Sequence, residues 1–218
     1  VLLLVVLWFS LRPDLVAASG KSKLARFLTF GRTDVSEKAL ASDMRALRIL
    51  VSLGLPLAIA FSGGAGALFG VIGARPFWNS GITPIIFLAG GLLSGGALLT
   101  FLTAVFKPEQ DPQKQRDVVS LLGKIVLGVL AFDVLLEWAE YTIGLYSSVP
   151  AHADALRLVL FGPYWWVFWI VHVVLGIIIP ALLLVARRNA VAPVALAGFL
   201  VAATFLSVRL NIVIPRFR

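Results

Sequence analysis

Three carboxyl groups, Asp133, Glu137 and Glu140, lie in an otherwise apolar stretch, with Tyr141 beside them. Their spacings of four and three residues put all three on one face of a helix, about one turn apart. A carboxylate in hydrocarbon is costly unless it meets a partner or a water-filled cavity. A column of such groups can relay protons between a buried redox site and water. The competing structural reading leaves Asp133 alone as buried, with Glu137 and Glu140 solvated or paired with arginines near one membrane face. Arg209, within the apolar stretch Val194–Ile214, is the counter-charge candidate. Asn211, two residues on, points elsewhere around that helix.

His172 follows Trp165, Trp166, Phe168 and Trp169 by one to two turns. A lone intramembrane histidine can hydrogen-bond a neighbouring helix, ligate a metal or donate to a quinone carbonyl. The second histidine, His152, falls in a connecting segment, so a bis-histidine haem cannot be assembled within the spans. The 218 residues contain no cysteine, which removes disulfides, zinc–thiolate sites and cysteine-ligated iron–sulfur clusters. The expectation is therefore no haem and no iron–sulfur cluster in this chain. Phosphate-cradling loops, His-Glu-x-x-His pairs and Gly-x-Ser-x-Gly elbows are also missing from the sequence.

The elements that must position these groups are membrane-spanning helices. Sixty per cent of the residues are hydrophobic, 14% are charged and the mean hydropathy is +0.97, far too apolar for an ordinary water-soluble domain. Five segments are long enough to span: Ile49–Ile72, Ile85–Phe106, Val118–Tyr146, Trp165–Ala186 and Val194–Ile214. The opening run Val1–Leu11 would rise about 16 Å, half of a hydrocarbon core, and reads as a truncated sixth span. Backbone polar groups cannot stay unpaired in lipid and no run alternates like a barrel strand, so each span is helical. The predicted fold is an all-α polytopic transmembrane helix bundle of about six spans. Residues 1–11 form the truncated helix, 12–48 a basic cytoplasmic loop and 49–218 a five-helix region.

Connecting segments divide by charge. Arg12–Arg48, Lys107–Asp117 and Arg187–Pro193 carry eight, three and two basic residues, thirteen in all, while the alternate set carries Arg75, Arg157, Arg216 and Arg218. Thirteen against four places the first set in the cytoplasm. The net charge of +8 is thus a topology signal and not a nucleic-acid footprint. Within Arg12–Arg48, Leu24, Phe27 and Leu28 recur at helical spacing among basic residues, as in a segment lying along headgroups, although a solvated linker fits as well. Gly73–Thr83 and Ser147–Pro163 read as outer turn-forming segments; Tyr146 and Tyr164 to Trp166 flank the second as interfacial anchors. In Ile85–Phe106, Gly91/Gly95 and Gly90/Ser94 recur four apart, a small-residue face that lets helix backbones approach or a flat ligand pack.

The stretch from Arg75 to Leu99, RPFWNSGITPIIFLAGGLLSGGALL, resembles the NrfD/PsrC-type subunits, the membrane subunits of polysulfide-reductase-like respiratory complexes. Its similar features are Arg-Pro-x-Trp-Asn at 75–79 and Ser94-Gly-Gly-Ala-Leu-Leu99. The acidic helix Asp133–Tyr146, Leu11-Arg-Pro-Asp-Leu15 and Arg209-Leu-Asn-Ile-Val-Ile-Pro215 add to the resemblance, which runs from about residue 11 to the end. It implies a quinone-reactive subunit without haem, taking menaquinone or ubiquinone as substrate and not catalytic alone. The implied partners are a ferredoxin-like iron–sulfur subunit and, through it, a molybdopterin or cytochrome-bearing subunit, in a prokaryotic cytoplasmic membrane. It also implies that Asp133, Glu137 and Arg209 belong to a proton path and that Arg75, Trp78 and Asn79 edge a pocket or docking face. Family members carry further helices before the position of Val1, which build much of the quinone pocket. A secondary transporter or channel using the acidic column, or a structural membrane anchor, are the competing functions. A transporter works in proteoliposomes without redox substrate, and an anchor tolerates replacement of all three acids.

The orientation is tested by a cysteine placed at Gln113: it should react with impermeant thiol reagents only after the cell is opened. Labelling from outside intact cells reverses the topology.

Overall fold

The computed structural model describes residues 2–19, 27–30, 34, 36–71, 80–107, 111–146, 150–187 and 189–213. The predicted all-helical architecture is present, with no strand among the described residues. The helices are α1 (Leu2–Ser19), α2 (Glu37–Gly70), α3 (Thr83–Phe106), α4 (Pro112–Leu145), α5 (Pro150–Phe161), α6 (Val167–Ala186) and α7 (Val191–Val213). Four of them, α2, α3, α4 and α6, are long and apolar enough to cross a membrane; α7 is apolar over Val191–Phe205.

Helix ends differ from the apolar runs in physically interpretable ways. α4 begins six residues before its apolar run because Asp111 caps it, accepting from the Gln113 N–H at 2.9 Å, with Pro112 at the first helical position. α3 ends where Lys107 turns left-handed at φ 47° and its N–H returns to the Thr103 carbonyl. The segment 147–163, expected to be turns, instead contains α5, whose Leu156, Val159 and Leu160 are buried. Likewise α1 continues through Arg12–Ser19 and α2 starts at Glu37, so much of the expected loop 12–48 is helical.

The chain divides into two compact units, Val1–Phe61 and Ser62–Arg218. In the first, Arg12 and Asp43 form a buried ion pair and the Trp8 indole donates to the Leu28 carbonyl at 2.7 Å. Removing one partner of such a buried pair typically costs about 3–5 kcal/mol, because the other charge is stranded. Nearby, the Asp34 carboxyl lies below its ordinary value. The Ser36 backbone N–H and then its hydroxyl bond the carboxylate, with the Arg12 charge as a further contribution.

In the second unit, α7 packs against α3, α4 and α6, while α5 packs against α4 and α6. Leu93, Ala97, Ala104, Val119, Val126, Leu130, Leu184, Val194, Ala197 and Val201 make the common core. Leu92, Leu121, Leu135, Leu182 and Val185 are exposed on the outside, the arrangement of a bundle whose solvent is lipid. Lipid tails are as apolar as these side chains, so close van der Waals packing must hold the helices together. α3 and α7 approach closely at Gly198: a Cβ there would meet the Ala97 carbonyl oxygen at 2.7 Å and the Phe101 nitrogen at 3.2 Å. Both obstacles are backbone. On the glycine face of α3, Gly90 seats the Phe205 ring, whereas Gly95 has nothing within 4 Å of its would-be Cβ. That face therefore serves helix packing at Gly90.

Gly198→Ala should destabilise the bundle by about 1–3 kcal/mol through forced backbone separation. Gly95→Ala should be neutral or up to about 1 kcal/mol stabilising through helix propensity. Thermal unfolding in detergent measures both, and equal behaviour of the two variants would refute the close α3–α7 contact.

Candidate functional site

α4 and α6 meet at a hydrogen bond between Glu137 Oε2 and His172 Nε2, 2.8 Å long. Both side chains are largely buried, 14% and 8% exposed. The sequence distributes these residues between two separate readings, a proton path and a quinone contact. The fold joins them into one site. Of the three uses open to a lone intramembrane histidine, the bond to a neighbouring helix is the one seen. No group of three or more metal-ligating side chains occurs among the described residues.

Local winding places the histidine. Residues Val167–Ile178 of α6 form a π-helix, and the Ile179 N–H donates to the Val174 carbonyl five residues back. The α-helical part, Ile179–Ala186, then begins with Pro180 close to its start, a residue with no N–H to return into the helix. The i→i+5 ladder shifts side chains out of the 3.6-residue register, a deviation often found at functional sites. Small residues bring α6 close to α7: a Cβ on Gly176 would lie 2.8 Å from Thr204 Oγ1.

Aromatic rings line one side of the pair. The Phe168 centroid lies 5.2 Å from that of Tyr141 and 5.7 Å from that of His172. The Trp169 indole donates to the Leu160 carbonyl at 3.0 Å, fixing α6 to the end of α5. On α4, Gly144 admits α5, since a Cβ there would clash with Leu156 Cδ1. α5, where the sequence suggests only turns, thus braces both helices that carry the pair.

Asp133 is buried one turn from Glu137 on α4, and Glu140 is half-buried one turn beyond it. The acidic column therefore grades from buried to half-buried along one helix. Arg209 lies on α7, but its side chain is outside the described residues, as are Arg75, Trp78 and Asn79 altogether. Glu137 meets His172, a partner the sequence reading did not offer it. Depth was the signal that could have found it. His172 lies seven residues from Trp165 and Glu137 nine from Tyr146, about 10 and 13 Å of rise from the same end of the bundle.

Chemically, the pair holds one exchangeable proton between an oxygen and a nitrogen atom in hydrogen-bond contact. Either Nε2–H donates to the carboxylate or the carboxylic acid donates to Nε2. Such a couple can accept a proton on one side and release one on the other without carrying an isolated charge in hydrocarbon.

Long apolar helices enclosing a bonded acid–imidazole pair define an integral, multi-pass membrane protein. A family model described as "Polysulphide reductase, NrfD" matches residues 1–217, and the chain belongs to this NrfD family. It is 34% identical to a selenate reductase subunit of Mesobacillus selenatarsenatis, over 99% of the chain and 53% of that protein. It is 27% identical to the Hdr-like menaquinol oxidoreductase integral membrane subunit of Archaeoglobus fulgidus, over 78% and 44%. It is 28% identical to protein NrfD of Escherichia coli, over 68% and 46%. The chain spans about half the length of the curated relatives it matches.

A double-mutant cycle with Glu137→Gln and His172→Gln, read by unfolding in detergent, should return a coupling of about 1–2 kcal/mol. Strict additivity would show that the two side chains do not interact.

Proposed function

We propose that the chain is the quinone- or quinol-reactive membrane subunit of a respiratory oxidoreductase, with proton exchange through Glu137, His172 and Asp133. The observation that carries the reading is the buried Glu137–His172 hydrogen bond between two spans. Membership of the NrfD family supports the redox assignment. The names of the relatives support it further: one is a menaquinol oxidoreductase membrane subunit and another a subunit of a selenate reductase.

Oxidation of a quinol to a quinone releases two electrons and two protons, and reduction takes up the same number. Glu137 and His172 offer a proton-accepting and proton-donating couple next to the Phe168 and Tyr141 rings. Asp133 extends that couple one turn deeper, and Glu140 extends it one turn toward the outer end. Electrons leave or enter through a partner subunit, since these 218 residues have no cysteine with which to ligate an iron–sulfur cluster. The partner is an iron–sulfur, ferredoxin-like protein, connected to a molybdopterin or cytochrome-bearing subunit, at a prokaryotic cytoplasmic membrane. Arg75, Trp78 and Asn79 are assigned to the pocket edge or docking face, and Arg209 to the proton path.

Glu137→Gln and Asp133→Asn keep side-chain volume and remove ionisation. Each should slow quinone-coupled turnover of the assembled complex, on the order of 100-fold at Glu137, while electron transfer from the partner to a soluble dye persists. Wild-type quinone turnover in a well-assembled Glu137→Gln complex would exclude the proton role. Parallel loss of assembly and of every activity would make the residue structural.

A further inference from the structure

At the basic end of the second unit, a cavity of about 510 Å³ opens between the end of α3, the start of α4 and the first turn of α7. Two cationic side chains, Lys107 and Arg116, line it, and Ala104, Ala192 and Ala195 form an apolar wall. Its floor is fixed: Gln115 is buried and its side-chain amide donates to the Thr103 carbonyl at 2.7 Å. Among the described residues, the carboxylates of the adjoining turn bond within the start of α4. Asp111 accepts from the Gln113 N–H and Asp117 accepts from the Gln113 side-chain amide at 3.2 Å. Lys107 and Arg116 are both exposed, and they line a cavity with an apolar wall.

This is an amphipathic lining at the level where spans leave the hydrocarbon. α3 ends at Phe106, and the apolar run of α4 begins at Val118, so Lys107 and Arg116 lie just outside it on both helices. An anionic phosphate fits the cations, and the glyceryl and first acyl carbons of the same molecule fit the alanine wall. A basic pocket between transmembrane helices has the character of a lipid headgroup site. We propose that this cavity binds the headgroup phosphate of an anionic phospholipid. The lipid then bridges α3, α4 and α7 at the end of the bundle opposite the Glu137–His172 pair. A free phosphate would satisfy the cations but not the apolar wall, and a zwitterionic lipid would satisfy the wall while bringing its own cation against Lys107 and Arg116.

Native mass spectrometry of the delipidated, detergent-purified protein, titrated with phosphatidylglycerol, phosphatidylcholine or inorganic phosphate, tests the assignment. Wild type should retain phosphatidylglycerol in preference to phosphatidylcholine, and inorganic phosphate should not displace it. Lys107→Ala with Arg116→Ala should weaken phosphatidylglycerol retention about 10- to 30-fold with helix content unchanged by circular dichroism. Lys107→Arg with Arg116→Lys should preserve it. If the alanine pair fails to fold, the single variants Lys107→Gln and Arg116→Gln, each expected to weaken retention several-fold, decide the matter. The proposal is overturned by undiminished phosphatidylglycerol retention in the neutralised variants or by equal retention of phosphatidylcholine. Displacement by inorganic phosphate also overturns it, assigning the cavity to a free anion. So does loss of a co-purifying acidic protein with lipid retention intact, which assigns it to a protein partner.

Discussion

Helices in lipid gain nothing by hiding apolar side chains from a solvent that is itself apolar, so this bundle depends on how closely its backbones can approach. Gly198 lies against the Ala97 carbonyl and Gly176 against Thr204; Gly123 meets Val194 and Leu184. Each contact involves α7 or the residues packed around it, which makes α7 the axis of the second unit. The positions of α4 and α6 follow from that packing, and the chemistry follows from the positions of α4 and α6. Their acid and imidazole reach 2.8 Å because α7 and α5 hold the two helices from different sides.

The polar pair returns some of that constraint. A carboxyl and an imidazole facing hydrocarbon separately would each bear a desolvation cost that neither bears when they share a proton. Pairing also favours one rotational setting of α6, since turning the helix by a single residue would carry His172 away from α4. The π-winding of Val167–Ile178 then has a specific consequence: it sets which residue of α6 faces Glu137. Phe168, flanked by Tyr141 and His172, takes its place by the same register.

Composition and run length made the fold class legible, because five long apolar segments with thirteen basic residues on one side admit few alternatives. The acidic column was legible too, since spacings of four and three survive any rigid α-helix. The Glu137–His172 contact was not. It joins residues 35 apart in sequence on two different spans, and α6 departs from the 3.6-residue period there, so the sequence period alone does not pair them. α5 escaped notice because twelve residues bearing His152, Asp154 and Arg157 resemble a polar connection more than a packed helix. Its buried face, Ala153, Leu156, Val159 and Leu160, becomes visible only when read at spacings of three and four. The ion pair of Arg12 with Asp43 was hidden for a different reason. In the sequence Asp43 is one acid among several in a charged segment, and nothing local marks it as buried.

The distribution of polar groups along the second unit has a further logic. At one end, Lys107 and Arg116 are exposed beside a cavity, where a charged side chain costs little because water and headgroups solvate it. Toward the other end, the carboxyl–imidazole couple and the two further acids of α4 are groups that can lose charge by moving a proton, which a lysine or arginine does far less readily. Basic residues at that surface favour one placement of the bundle in the bilayer, while α4 carries groups that can take up or release a proton. A redox subunit needs both properties at once. On the function proposed, its helices would have to stay in register with the membrane while protons entered and left its core. The distance of Lys107 and Arg116 from the acidic column would let that column change protonation without disturbing the anchoring at the other end.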